Sequence, residues 1–386
     1  MESNNFLYTN PKGKPVTIHS YSAGQEFQNC RRKYKLSRID GWKEKEKRAS
    51  FEFGKCIEDS IRFFHESGMK MGASGEEFTR LWIKYQDNKE LTYTDKESSW
   101  ENMHQMGIEM MALYEINLPS FPIYKPQFQL SYRKEVFPNS ELSGLEFIAY
   151  IDMLVKRPED EPMIIDIKTA SQELDETPNI LSLDSQLCAY GWVSGILNVG
   201  FIWFTKSKIG PYKKGDEVTL LAKTFFNGIG LTDPGEHFTV LEHDVESGTV
   251  KMVRPQDFIP LCEELAAITG KGSTAKKSDL IQNYQDKGKL FFPDAKAVTK
   301  QRLQFVTARL NPDDVKEMGE AIGQEIIDIA DASERNFFPK EPSIRGLLKK
   351  CQMCCMLGIC LGDKKIRDER VIRINSDWLD EIEDEG

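Results

Sequence analysis

No apolar stretch in these 386 residues approaches the ~18–20 that a membrane-crossing helix requires. The opening Met1-Glu2-Ser3-Asn4-Asn5 lacks the basic and apolar regions of a secretory signal, so a soluble, cytoplasmic protein is expected. Internal repeats and long low-complexity linkers are also missing. So is a phosphate loop: Gly272-Ser-Thr-Ala-Lys-Lys277-Ser278 comes nearest, but Lys276 stands where that loop needs glycine, and no fused nucleotide-driven motor is indicated. Positive charge is in deficit, 51 Lys and Arg against 61 Asp and Glu, for a net charge of -10. Such a chain is not a general binder of polyanions, and any nucleic-acid surface on it must be local. The one candidate is Arg31-Arg32-Lys33-Tyr34-Lys35, continuing through Arg38, Lys43, Lys45, Lys47 and Arg48. Glu44 and Glu46 interrupt it, and on charge alone a solvated helix face is the stronger reading.

The eight cysteines are unevenly spread, with four between Cys351 and Cys360. In a reducing compartment, clustered thiols suggest a metal rather than disulfides. Cys56, Cys188 and Cys262 read as small core residues.

Periodicity makes the first third helical. Ser22 is placed to cap a helix running through Phe27 and Tyr34. A second covers about Ala49 to Glu66, with Phe53, Ile57, Ile61 and Phe64 on its apolar stripe, and others follow near 75–88 and 98–116. Strands are then expected at 128–137, 145–155 and 163–169, with a turn at Arg157–Pro162 between the last two. A helix at 185–196 and a strand at 199–206 complete an α/β core with a mixed sheet whose middle strands form a hairpin. Beyond it, 217–253 reads as β structure, 257–268 as helix, 270–312 as a polar, Lys-rich insertion, 313–335 as a long helix and 378–385 as an acidic tail.

Chemistry concentrates at Asp166-Ile167-Lys168, after the apolar run Met163-Ile164-Ile165. Hydrolysis of a phosphodiester needs a divalent metal to activate water and neutralise the phosphate, and hard oxygen ligands suit Mg²⁺. A carboxylate and a Lys two residues apart share one face of a strand, where the Lys can position water and contact phosphate. The pattern alone is weak, since Asp87, Asp294, Asp314 and Asp363 also open an Asp-x-Lys. Context distinguishes Asp166, because a carboxylate in a buried strand is costly without a cation. Asp152, within the apolar Phe147–Val155 run, is a second such acid, and across a hairpin the two would converge. The alternative is an Asp on the solvent face of its strand.

Asp152, Asp166-x-Lys168 and Gln186-x-x-x-Tyr190, in that order and preceded by Gly54-x-x-x-Glu58, resemble the signature of RecB-type PD-(D/E)XK nucleases. Glu58 departs from it, since many members carry His there. Cys30 with Cys351-x-x-Cys354-x-x-x-x-x-Cys360 resembles the cluster-bearing branch, which includes AddB-type subunits and the CRISPR-associated nucleases. The resemblance covers about 20–207 and 337–360.

It implies a restriction-endonuclease-like core (αβββαβ) with N-terminal helices and a C-terminal iron–sulfur segment. Glu58, Asp152, Asp166 and the Ile167 carbonyl would bind Mg²⁺ or Mn²⁺. Lys168 would position water, and Gln186 and Tyr190 would support Lys168 and the substrate. Cys30, Cys351, Cys354 and Cys360 would hold a [4Fe–4S] cluster, or zinc as the alternative, with Cys355 an extra thiol that could replace Cys354. The expected organisation is 1–120 helical, 121–210 nuclease core, 211–335 extension, 336–362 cysteine segment and 363–386 tail. The implied activity is hydrolysis of DNA, single-stranded or with a free end, in recombination, repair or phage DNA processing, with a helicase or recombination protein as a compatible partner. The rivals are a noncatalytic DNA-binding scaffold of the same fold and a structure-specific endonuclease.

Overall fold

A computed structural model describes residues 6–373 apart from 12, 89–90, 94–98, 122, 141, 157–160, 175–176, 178, 207–210, 222, 227–228, 301 and 341–350. The first elements that bear on the site are β1 (Ile18–Ser20), α1 (Tyr21–Asn29) and α2 (Arg31–Tyr34). Ser20 rather than Ser22 caps α1, accepting the N–H of Ala23 at 3.4 Å. The helix expected to run through Tyr34 breaks at Cys30, where the backbone is extended and the Sγ accepts the Lys33 N–H to start α2.

β2 (Trp42–Glu44) leads to α3 (Ala49–Glu66), α4 (Ala73–Trp82) and α5 (Trp100–Asn117). Gly72, left-handed at the start of α4, has no side chain to cap it. Glu115 of α5 does so instead, accepting the N–H groups of Gly72 at 2.5 Å and Ser74 at 2.9 Å. β3 (Tyr124–Glu135), β4 (Glu146–Lys156), β5 (Pro162–Ala170), α6 (Ser185–Ser194) and β6 (Asn198–Thr205) follow. α6 ends before the expected Ile196 because Gly195 turns left-handed, at φ 77°. Positions 157–160 of the expected turn lie outside the described residues.

The remaining elements are β7 (Glu217–Leu220), β8 (His237–Asp244), β9 (Thr249–Val253), α7 (Pro255–Ala267), α8 (Ser273–Asp286), β10 (Leu290–Phe291), β11 (Val298–Lys300), β12 (Leu303–Arg309), α9 (Pro312–Glu334), α10 (Leu357–Leu361), α11 (Lys364–Arg370) and β13 (Val371–Arg373). No helix among the described residues is long and apolar enough to cross a membrane. The expected acidic tail at 378–385 lies outside them.

The central sheet runs β12–β6–β5–β4–β1, with β3 also on β4. Pairing is parallel for β6/β5 and β4/β1 and antiparallel elsewhere, a mixed sheet. Helices cover both faces. Phe27 of α1, Leu187 of α6 and Ile326 of α9 pack on one side, and Phe53 of α3, Trp82 of α4 and Met110 of α5 on the other. β5 is therefore sandwiched, which explains its unbroken apolar run: Ile164 faces the first core, and Met163, Ile165 and Ile167 the second.

One boundary beyond the nuclease-like core also differs from expectation. Residues 303–309 are not the end of an insertion but β12, paired with β6 along its whole length. The chain leaves the central sheet after β6 and rejoins it beside its point of departure, where the Thr205 N–H meets the Arg302 carbonyl at 2.8 Å. The intervening segment forms a second antiparallel sheet, β10–β9–β8–β7–β11, with Leu261 of α7 and Tyr284 of α8 packed beside it. β7, β8 and β9 fall within 217–253, where β structure is expected, whereas β10 and β11 lie in the stretch read as a polar insertion, and pairing to a partner a hundred residues away leaves no local mark.

At the C-terminal end, β13 pairs with β2 from the N-terminal third. A small satellite core joins Leu36 and Trp42 to Cys354, Cys355, Met356, Cys360 and Val371.

Candidate active site

β4 pairs with β3 along most of one edge, with no partner at Asp152 or Val155 and a register shift between Tyr124 and Gln127. Its other edge is divided between two strands. β1 takes Glu146, Phe147 and Ile148, and β5 takes Met153 to Lys156. Neither ladder covers 149–152, so β4 and β5 part at Asp152 and Asp166. Into this opening Asp152 turns its carboxylate, and Oδ2 accepts the N–H of Ile167 at 2.8 Å. In an extended strand a residue's N–H and C=O leave on the same edge, so the Ile167 carbonyl faces the opening too.

Alternation also slips here. Phe147, Ala149 and Ile151 belong to the core of α1, α6 and α9, whereas Met153 and Val155, of the same parity, belong to that of α3 and α5. On the neighbouring strand Tyr132 packs on the first core and Phe128 on the second, and Gln129 between them has φ 51°. A left-handed Gln is strained. It stands opposite Asp152, where both strands exchange faces.

α3 brings Glu58 in from the side. Gly54, one turn earlier, lies against β5 so closely that a Cβ there would sit 3.3 Å from Thr169 Oγ1. The glycine lets the helix approach the strand and so sets the depth of Glu58. Lys168 shares the Asp166 face of β5, and its Nζ lies 2.7 Å from Asp166 Oδ2. Asp166 is only 1% exposed. Despite the ion pair, no donor is aligned to hydrogen-bond its Oδ2.

Burial, then the charge of Asp152, pushes the Asp166 carboxyl up to about 7. Burial, then Asp152 and Asp166, pushes Glu58 up to about 8. Asp152 is raised by burial as well, although the Ile167 N–H opposes the shift. For Lys168, burial acts to lower the pKa, but Asp166, Asp152 and Glu58 outweigh it and hold it above the ordinary value. Three acids, Asp166 buried and Glu58 and Asp152 half-buried, thus face one ammonium.

Gln186 and Tyr190, one turn apart on α6, are joined by a 2.6 Å bond from Nε2 to the phenol oxygen. The Tyr190 phenol is raised by burial and then by the charges of Asp166 and Asp152, which puts the pair beside the acids. Two neighbours were not singled out from the sequence. Asp184 caps α6 and adds to the negative field on Asp166. Tyr21, at the start of α1, meets Ser185 Oγ at 2.5 Å and feels the charge of Lys168. Neither lies in a motif of its own, and an N-cap Asp before an apolar helix is the one signal available for either.

Three of the expected thiols, Cys30, Cys354 and Cys360, come from both flanks to within electrostatic reach of one another. Cys30 starts α2, and the Cys360 thiol, raised first by burial, also feels Cys354 and Cys30. A hydrogen bond from Cys355 is the main cause that lowers Cys354 to about 6, with the Met356 N–H and Lys33 assisting. Cys355 therefore partners Cys354 rather than standing apart. Cys351 is half-buried, and its carbonyl accepts the Cys354 N–H at 3.1 Å.

Among the described residues no three or more His, Cys, Asp or Glu side chains stand as they would around a metal ion. Neither Glu58, Asp152 and Asp166 nor Cys30, Cys351, Cys354 and Cys360 is a closed cage, and against Asp166 it is Lys168 that takes a cation's place. The acids nonetheless suit a divalent ion. A buried carboxylate oxygen without an aligned donor, in a cluster of excess negative charge, is what a hard cation relieves.

The basic run is mostly partnered: Arg31 with Asp328 at 3.1 Å, Lys33 and Arg38 with Glu26 at 3.6 and 3.0 Å, Lys35 with Asp40 at 2.8 Å, and Lys47 with Glu52 at 3.6 Å.

Residues 19–208 match the family model of the PD-(D/E)XK nuclease superfamily. A solved structure titled "Crystal structure of SSO0001" is similar at 13% identity, over 47% of this chain and 72% of that one, with a TM-score of 0.19. Comparison with curated proteins gave no match.

Proposed function

From the premise that residues 19–208 are a PD-(D/E)XK nuclease superfamily domain, which points to a metal-dependent nuclease, we propose that the protein hydrolyses DNA at the opening between β4 and β5. The observation that carries this reading is the convergence of Glu58, Asp152 and Asp166 on Lys168, in a place where the fold has given up backbone pairing.

Glu58, Asp152, Asp166 and the Ile167 carbonyl would hold Mg²⁺ or Mn²⁺. When bound, such an ion activates water and offsets charge on the phosphate. The chain's own groups do the rest. Asp152 holds the Ile167 backbone in place through the N–H bond. Lys168, kept protonated by the acids, donates to the attacked phosphate or to the incoming water as negative charge develops. Its side chain is 35% exposed, so it reaches solvent where Asp166 does not. Gln186, bonded to the Tyr190 phenol oxygen, keeps that ring beside the acids and leaves its own amide oxygen to accept from substrate.

The preferred substrate is DNA that is single-stranded or has a free end, cut from that end. The thiols Cys30, Cys351, Cys354 and Cys360 would carry a [4Fe–4S] cluster, or zinc. Support for this comes from the satellite core, which already ties the α2 segment to the C-terminal segment through β2/β13 pairing. Its role is to fasten the two flanks of the domain, not to take part in hydrolysis.

The test is digestion of end-labelled single- and double-stranded DNA by anaerobically purified protein with Mg²⁺, Mn²⁺ or EDTA. Mononucleotides or short products released from single strands with either metal, and none with EDTA, are expected. DNA binding without cleavage under every metal condition would replace this reading with that of a noncatalytic scaffold. Internal cuts at junctions alone would replace it with a structure-specific endonuclease.

A further inference from the structure

α3 presents more than Glu58 on the stripe that faces the opening. At 3.6 residues per turn, positions 51, 55 and 58 share one stripe of a helix, spanning about 10 Å along its axis. Glu58, half-buried at one end, is held beside Asp152 and Asp166. Phe51, at the other, is 74% exposed, more than any other large hydrophobic side chain among the described residues. The packing face of this helix is elsewhere: Phe53, Ile57, Ile61 and Phe64 are buried. Phe51 therefore serves neither core nor cap, and Phe is only a middling helix former.

Its surroundings are cationic. Lys55 is exposed one turn on, and Arg48, the residue just ahead of the helix, is exposed as well. In a chain of net charge -10, an aromatic ring flanked by these cations marks a local surface for a polyanion that carries flat apolar groups. The contact of Gly54 with Thr169 sets the helix against β5, so the ring's place relative to Asp166 is fixed by packed elements and not by a loop.

We infer that Phe51 is a stacking platform for an unpaired base of the DNA strand being cleaved, with Lys55 and Arg48 on the adjoining phosphates. The inference rests on the nuclease reading above and names what selects its substrate. About 10 Å corresponds to about three nucleotides of a stacked strand at about 3.4 Å each, and to fewer of an extended one. A paired base has both faces covered by its neighbours, so a stacking ring favours single strands or frayed ends.

The experiment uses the full chain carrying Asp166→Asn to prevent cleavage, with single-stranded oligonucleotides bearing 2-aminopurine at successive positions and, separately, blunt duplexes. In one position 2-aminopurine fluorescence should be quenched on binding. Phe51→Ala and Phe51→Leu should abolish that quenching and weaken single-strand affinity by roughly 5- to 150-fold. Phe51→Trp should restore both, and duplex affinity should follow none of these changes. If Phe51→Leu binds single strands and quenches as Phe51 does, or if duplex affinity falls in parallel, the stacking inference is overturned while the nuclease reading stands. If the unsubstituted protein neither binds nor cleaves DNA, the nuclease reading falls and this inference with it.

Discussion

Replacing Asp166 with Asn should leave the metal-free protein more stable and inactive. The Asp166 carboxyl, ordinarily near 3.8, is pushed up to about 7 by burial and by Asp152. A raised acid pKa means that the folded state holds a proton the unfolded chain has already released. Stability is then full below pH ~4, declines as pH rises toward ~7, and stays reduced above it. At about 1.4 kcal/mol per tenfold change, the ionised Asp166 costs about 4 kcal/mol at neutral pH. Asn keeps the shape and removes the charge, but it also gives up the 2.7 Å ion pair with Lys168. The net gain expected is about 1–3 kcal/mol. At roughly 2–4 °C per kcal/mol for a domain of this order, Tm in EDTA at pH 8 should rise by several degrees. Added Mg²⁺ should reverse the ranking: at a hundred times its Kd it stabilises the unsubstituted protein by about 2.7 kcal/mol and Asp166→Asn by much less. Calorimetry at pH 5 and pH 8, with EDTA and with Mg²⁺, measures all four combinations. A lower Tm for Asp166→Asn in EDTA at pH 8, or an equal gain from Mg²⁺, would refute the account of Asp166 as a repelled acid awaiting a cation.

Lys168→Ala should lower kcat/KM on DNA by at least about 10²-fold while keeping the Mg²⁺-dependent rise in Tm, and loss of that rise would make Lys168 a structural prop instead. Cys30→Ser, purified without oxygen, should be iron-poor, lack the broad absorption near ~400 nm and unfold earlier; an iron-replete variant would remove Cys30 from the ligand set. His65, bonded at 2.6 Å to the Tyr114 hydroxyl, has its pKa lowered by burial to about 4, so the stability it contributes is present above pH ~6.5 and is lost as pH falls toward ~4. In urea titrations, His65→Gln should lose less stability between pH 7 and pH 5 than the unsubstituted chain, and equal losses would refute the assignment. A Cβ at Gly107 would sit 2.1 Å from the buried Phe78 ring, so Gly107→Ala should destabilise the fold by about 1–3 kcal/mol, readable as a lower urea midpoint.

By itself the sequence determined the local elements and the acids that matter. The apolar stripe of α3 defined that helix at 49–66, and its observed span is Ala49–Glu66. The buried run around Asp166 was legible because an ionisable residue inside an unbroken apolar strand has few inexpensive explanations. The resemblance of the ordered set Asp152, Asp166-x-Lys168 and Gln186-x-x-x-Tyr190 to a known signature then pointed to the superfamily, and within it the Asp166/Lys168 and Gln186/Tyr190 pairs follow short-range rules of strand and helix spacing.

Tertiary structure alone decided how those pieces meet. That β4 divides its edge between β1 and β5, and so opens at Asp152, depends on residues 18–20, which approach from far up the chain. The placement of 303–309 in the central sheet has the same character: strand pairing joins segments distant in sequence and leaves no periodic trace in either. The charges divide on similar grounds. In the Arg31–Arg48 run Glu44 and Glu46 are visible interruptions, but Asp328 on α9 and Glu26 on α1 pair with Arg31, Lys33 and Arg38 as well, and those partners are known only once the helices pack. Phe51 is the converse case. Phe51 and Phe53 look alike as apolar residues of one helix, and only the packing of α3 on the sheet buries one and leaves the other in solvent.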